Sequence, residues 1–106
     1  MTPQVPANVW RYALIAACMA HVEGYYSVKS MAYRNCNPGN IEAHGKVRTY
    51  SNPTEGFTEL ILDIAVNAGK TLAEFLAKYA PPSENDTSTY VSVVGQLTGI
   101  KPEEVI

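Results

Sequence analysis

The stretch from Val9 to Val22 is apolar on nearly every side, and it constrains the fold more than any other segment of the chain. Trp10, Ala13, Leu14, Ala17 and Ala20 mark one face at helical spacing, while Ile15, Ala16, Cys18 and Met19 fill the others. A helix without a polar face has to be wrapped by the rest of the molecule, which predicts a mainly α-helical fold assembled around this segment. Asn8 is its expected N-cap, and Gly24, which tolerates the left-handed backbone, is its expected stop. Glu23 is thereby placed at the carboxyl end of a buried helix.

Proline and glycine cut the remainder into helix-length pieces, and no internal repeat is visible. Asn52-Pro53-Thr54-Glu55 combines a capping residue, a proline at the first helical position and a glutamate at the third. The helix it opens is predicted to run to Ala68, with Phe57, Leu60, Ile61, Ile64 and Ala65 turned inward. Thr71-Leu72-Ala73-Glu74 is a second capping box, opening a short helix that buries Phe75, Leu76 and Tyr79 until Pro81-Pro82 stops it. Asp86 or Asn85 caps the next helix, whose apolar side is Tyr90, Val91, Val94 and Leu97 and whose end is Gly99. Lys101 to Ile106, with Pro102 at its start, reads as the first turn of a fifth helix, cut short as a piece of a longer protein would be.

Tyr25 to Tyr50 reads as loop first, with a strong turn signal at Asn37-Pro38-Gly39-Asn40. Ile41–Ala43 and Lys46–Tyr50 then make a small hairpin around His44-Gly45, with Val47 and Ile41 facing inward. The expectation is one domain over residues 1–106, with about five helices and a small β-hairpin after the first core helix.

Bulk composition narrows the functions. Hydrophobic residues are 46% and charged residues 17% of the chain, an ordinary globular make-up. Lys plus Arg number 8 against 10 Asp plus Glu, and no basic run could neutralise several phosphates, so nucleic acid is not an expected partner. The longest apolar run, Ala13 to Ala20, is far below the roughly 20 residues of a membrane span. The start Met1-Thr2-Pro3-Gln4-Val5-Pro6 lacks the positive charge of a secretory leader, so export would use another route. Cys18 and Cys36 are expected to stay unpaired, one mid-helix and one in a loop. His21 and His44 have no second ligand at metal spacing, so no metal or other cofactor is expected.

Glu23 is the residue best placed for chemistry. Its helical neighbours Ala16, Met19 and Ala20 extend an apolar stripe up to it. Desolvation and the negative end of the helix dipole both disfavour its carboxylate, which raises the pKa towards what a general acid needs near neutral pH. The competing reading is a helix-end glutamate turned into water or paired with Arg34 or Lys29. Glu55 and Glu74 are explained by capping, and Asp63, inside the second long helix, reads as a solvated face residue.

A wider pattern runs through the same residues. Ala20-His21-Val22-Glu23-Gly24-Tyr25 is followed by Ala32-Tyr33-Arg34-Asn35-Cys36-Asn37-Pro38-Gly39-Asn40-Ile41 and by Asn52-Pro53-Thr54-Glu55-Gly56-Phe57. Tyr79-Ala80-Pro81-Pro82-Ser83-Glu84-Asn85-Asp86-Thr87 and Tyr90 complete the series. From Val9 to about Gly99 the chain resembles a lysozyme-superfamily group of phage-borne and bacterial muramidase-like or lytic-transglycosylase-like domains, related to goose-type lysozyme. The resemblance implies cleavage of peptidoglycan glycan strands between N-acetylmuramic acid and N-acetylglucosamine, at the bacterial cell wall, by a monomer in which Glu23 is the acid. Cys36 stands where many relatives carry Asn. Gly24 stands where transglycosylases often carry Ser, which leaves hydrolase and transglycosylase both open.

Under that resemblance the other polar residues acquire candidate roles. Hydrolysis needs a second carboxylate as nucleophile or base, and Asp86 is the nominee, although N-capping explains it at least as well. Asn85 beside it is a candidate for holding a sugar hydroxyl. Asn37 and Asn40 either build their turn or meet an acetamido group, and Tyr25, Tyr33 and Tyr90 are candidates to line the saccharide groove. The hairpin of Ile41 to Tyr50 is the expected wall opposite Glu23. Two rival readings remain: a catalytically silent glycan-binding or virion structural module on the same fold, and, more remotely, a helix-turn-helix regulator.

Overall fold

The computed structural model describes residues 7–83 and 85–106. The uncharged start Met1 to Pro6, and Glu84 of the motif series, lie outside the described residues. In chain order the elements are α1 (Ala7–Val22), α2 (Met31–Arg34), β1 (Glu42–Ala43), β2 (Lys46–Val47), α3 (Pro53–Val66), α4 (Leu72–Tyr79) and α5 (Thr87–Thr98). The expected class, mainly helical with a small hairpin after the first core helix, is what forms. α1 packs against α3 and α5, and α4 closes on α5. Ile15 and Met19 of α1, Leu60 and Ile64 of α3, Leu72, Phe75 and Leu76 of α4 and Val94 of α5 fill the core. Each contributes about 1.5–3 kcal/mol relative to leaving it in water, so this core, and not a hairpin of two-residue strands, holds the molecule together.

α1 is wrapped less completely than its composition suggests. Its buried side is Tyr12, Ile15, Ala16 and Met19, whereas Trp10 and Leu14, expected on the core face, are 66% and 46% exposed. An alanine-rich helix with apolar residues all round has no intrinsic inward side, and the packing of α3 and α5 selects one. Because α1 starts at Ala7, Asn8 lies in its first turn instead of capping it. The stop is as expected. Gly24 takes φ 81, its N–H bonds the His21 carbonyl and the Tyr25 N–H reaches back to the Ala20 carbonyl, which is the Schellman arrangement.

The remaining starts follow the local signals. Asn52 accepts from the Glu55 N–H with Pro53 at the first position, and Thr71 and Glu74 form a reciprocal capping box. α3 ends at Val66 with Asn67 as C-cap, a little short of Ala68. α5 ends at Gly99, φ 75; that left-handed turn swings Ile100 into the core, while Leu97 is left 54% exposed.

Lys101 to Ile106 is not a helix. It makes a turn and then a bridge between Val105 and Thr71. The carbonyls of Glu104 and Pro102 accept from the Leu72 and Ala73 N–H groups, both at 2.9 Å. Those are first-turn donors of α4 that have no partner within the helix, so the terminal segment satisfies them. Arg11 pairs with Glu104 at 2.9 Å and ties the same segment to α1. The short helix the sequence reading did not anticipate is α2, capped by Ser30, which accepts from the Tyr33 N–H.

The hairpin pairs Glu42 with Val47 and Ala43 with Lys46. His44 (φ 54) and Gly45 (φ 78) both have positive φ, as a two-residue turn of the mirror-image type requires. Cys18 and Cys36 are both free thiols, as expected. Among the described residues no helix is long and apolar enough to cross a membrane.

Candidate functional site

Tyr12, Ala16 and Met19 lie on one stripe of α1, and Glu23 continues it by a further turn past the end of the helix. The stripe is buried; its last member reaches the surface at a cleft. That cleft, about 420 Å³, is lined by Glu23, Gly39 to Glu42, Asp63, Tyr79, Ala80, Pro81 and Asn85. Three carboxylates face it, and among the described residues no Lys, Arg or His lines it.

Glu23 is half-buried, and the Tyr90 hydroxyl donates to its Oε2 at 2.9 Å. Burial raises the Glu23 pKa above the ordinary glutamate range, and the Tyr90 hydrogen bond pulls it part of the way back. The tyrosine positions the carboxyl as well as tuning it. Arg34 and Lys29, considered above as salt-bridge partners, are both exposed, and the one ion pair among the described residues is Arg11 with Glu104. Glu23 therefore lacks the cation that would make it an ordinary ionised surface group.

The opposite wall is the turn and the entry to the hairpin. Asn37 is completely buried there: its Nδ2 donates to the carbonyls of Ile41 (3.0 Å) and Arg48 (2.9 Å), and its Oδ1 accepts from the Ile41 N–H (2.8 Å). The residue is a clamp between the turn and the two strands, not a sugar contact. Tyr79 secures the same wall from α4, its hydroxyl donating to the Gly39 carbonyl. Gly39 is needed for this approach, since a Cβ there would stand 2.5 Å from the Tyr79 hydroxyl and 2.7 Å from a Leu60 methyl. Ile41 and Glu42 line the cleft, whereas the hairpin tip His44-Gly45 does not.

The other expected site residues divide cleanly. Asn40 and Asn85 line the cleft, while the Oδ1 of Asn40 is itself buried and has no hydrogen-bond partner among the described residues. Tyr90 is in place through Glu23. Tyr25 and Tyr33 are elsewhere: Tyr25 packs edge-on against Phe57, ring centroids 5.3 Å apart, with Tyr33 at 6.0 Å, in a small secondary core beneath α2. Asp86 is the cap of α5. It accepts from the Thr89 N–H and from the hydroxyls of Thr89 and Ser88, which hold its pKa below the ordinary aspartate range, and it lines a separate hollow with Ala73 and Pro82.

Besides Glu42 of the hairpin, the carboxylate that reaches the cleft with Glu23 is Asp63, which sequence reasoning placed on a solvated face. Burial raises its pKa, and Lys78 opposes the rise. Both Glu23 and Asp63 are near enough to Tyr79 for their charges to oppose its ionisation. The signal was present: Gly56, Leu60 and Asn67 are buried, and Asp63 falls on the same stripe at helical spacing, just as Glu23 does on α1. Among the described residues no three His, Cys, Asp or Glu side chains gather as a metal site.

Compared with known protein families, curated proteins and solved structures, the chain finds no match.

Proposed function

We propose that this protein cleaves the glycan strand of peptidoglycan between N-acetylmuramic acid and N-acetylglucosamine, acting at the bacterial cell wall, with Glu23 as the general acid. The observation that carries the reading is a carboxyl group at the end of the central helix, half-buried, without a cationic partner and held by Tyr90 at the edge of an open cleft. The resemblance of the motif series to muramidase-like and lytic-transglycosylase-like domains supports the same residue. A carboxyl whose pKa is raised by burial keeps its proton closer to neutral pH, so it can deliver it to a glycosidic oxygen as the bond to the anomeric carbon lengthens. Asn40 and Asn85 supply amides of the kind that hydrogen-bond acetamido groups and ring hydroxyls.

The test is a turbidity assay and zymogram on purified peptidoglycan with wild type and Glu23→Gln. Loss of the acid is expected to lower turnover by about 10²–10⁴-fold. Clearing that survives the substitution removes Glu23 from the reaction, and wild type that binds glycan without clearing it favours a silent binding module on the same fold.

A further inference from the structure

Glycosidic cleavage by water needs a second group beside the acid, as base for the water or as nucleophile, and Glu23 supplies the acid. Four other polar groups in or beside the cleft could be the second. Tyr79 is committed, its hydroxyl donating to the Gly39 carbonyl, and Tyr90 is committed to Glu23. Glu42 is exposed and sits on a strand of two residues, an element too short to hold a carboxylate in one place. Asp63 belongs to a capped helix of 14 residues, is half-buried, and shares the cleft with Glu23.

We propose that Asp63 is the general base that activates the attacking water, and hence that the reaction is hydrolysis and not ring closure by the sugar's own hydroxyl. The inference rests on the reading of Glu23 as the acid. α1 packs directly on α3, so the two carboxyls come to one cleft from two rigid elements, and the Tyr79 ring senses both charges. Burial raises the pKa of both groups; the Lys78 charge favours the ionised form of Asp63, and the Tyr90 hydrogen bond favours that of Glu23.

In the step itself Glu23 gives its proton to the glycosidic oxygen, and the bond from that oxygen to the anomeric carbon breaks. The water oxygen bonds to the same carbon, and its proton passes to Asp63. Solvent then returns a proton to Glu23 and takes one from Asp63. One water is consumed and one reducing end appears.

The experiment digests purified peptidoglycan with the full chain and identifies the new sugar ends by mass spectrometry, for wild type, Asp63→Asn and Asp63→Ala. Reducing ends are expected from wild type. Turnover of Asp63→Asn is expected to fall by about 10²–10⁴-fold with the thermal midpoint retained. Azide, which needs no base, is expected to restore bond cleavage to Asp63→Ala and to appear in the product as a glycosyl azide. Anhydro ends from wild type overturn the proposal even if the substitutions impair folding, and so does Asp63→Asn turnover within a few-fold of wild type. Both results leave Glu23 as the acid. Wild type that releases no ends overturns the acid reading and this one together.

Discussion

The burial that gives Glu23 its proton affinity acts against the fold once the proton leaves. Its pKa is raised in the folded protein, so the stabilisation it brings is complete below the ordinary glutamate range and is lost as pH rises through the folded value. Glu23→Gln, neutral at every pH, is therefore expected to melt above wild type at neutral pH, and the gap should close below about pH 4. Thermal melts across pH check the sign. Tyr90→Phe removes the donor that favours the carboxylate, so the Glu23 pKa and the alkaline limb of the pH–rate profile should both move upward; a downward movement in carbon-detected NMR titration would sink that account. Gly56 shows the other way one residue governs the site. A Cβ on it would lie 1.9 Å from the Cys36 carbonyl oxygen and 2.8 Å from Pro38, where backbone cannot yield. Gly56→Ala should cost at least the roughly 1–3 kcal/mol of ordinary overpacking in chemical denaturation. Gly45→Ala, with open space around its Cβ but φ 78, should cost only about 1–2 kcal/mol from left-handed strain.

At the scale of elements, the capping side chains decide where helices begin and thereby which residues are left for chemistry. Asp86 uses its oxygens on Thr89 and Ser88, so Asp86→Ala is expected to lower the thermal midpoint by a few degrees and to leave the cleavage rate within about twofold of wild type. A rate loss as deep as that of Asp63→Asn would reverse the two assignments. The starts at Asn52, Thr71 and Asp86 and the stops at Gly24 and Gly99 were legible because each is a hydrogen bond or a backbone angle settled within a few residues. The terminal segment was not: Pro102 resembles a helix start, but the carbonyls that follow it find the open N–H groups of α4 some thirty residues earlier. Asn37 misleads in the same way, since a turn asparagine and a buried clamp look alike until the Arg48 carbonyl arrives.

For the molecule as a whole, charge sets an expectation about rate. The formal charge is -2, and the cleft presents Glu23, Glu42 and Asp63 without a lining cation among the described residues. An anionic glycan polymer is repelled by such a surface, and the Debye length shrinks to about 10 Å at 0.1 M salt. Initial cleavage rates are therefore expected to rise severalfold between about 10 mM and 100 mM salt; a steady fall would mean that exposed lysines and arginines steer the substrate instead. The sequence by itself determined the helical class, most helix boundaries, the free thiols and the place of Glu23, because helical spacing and capping act over a turn or two of chain. Only the tertiary structure decided which side of α1 is buried, that Tyr90, 67 residues away, holds Glu23, and that Asp63 and not Asp86 shares its cleft. Those outcomes depend on which apolar faces meet, and an alanine-rich helix carries no local mark of the partner it will choose.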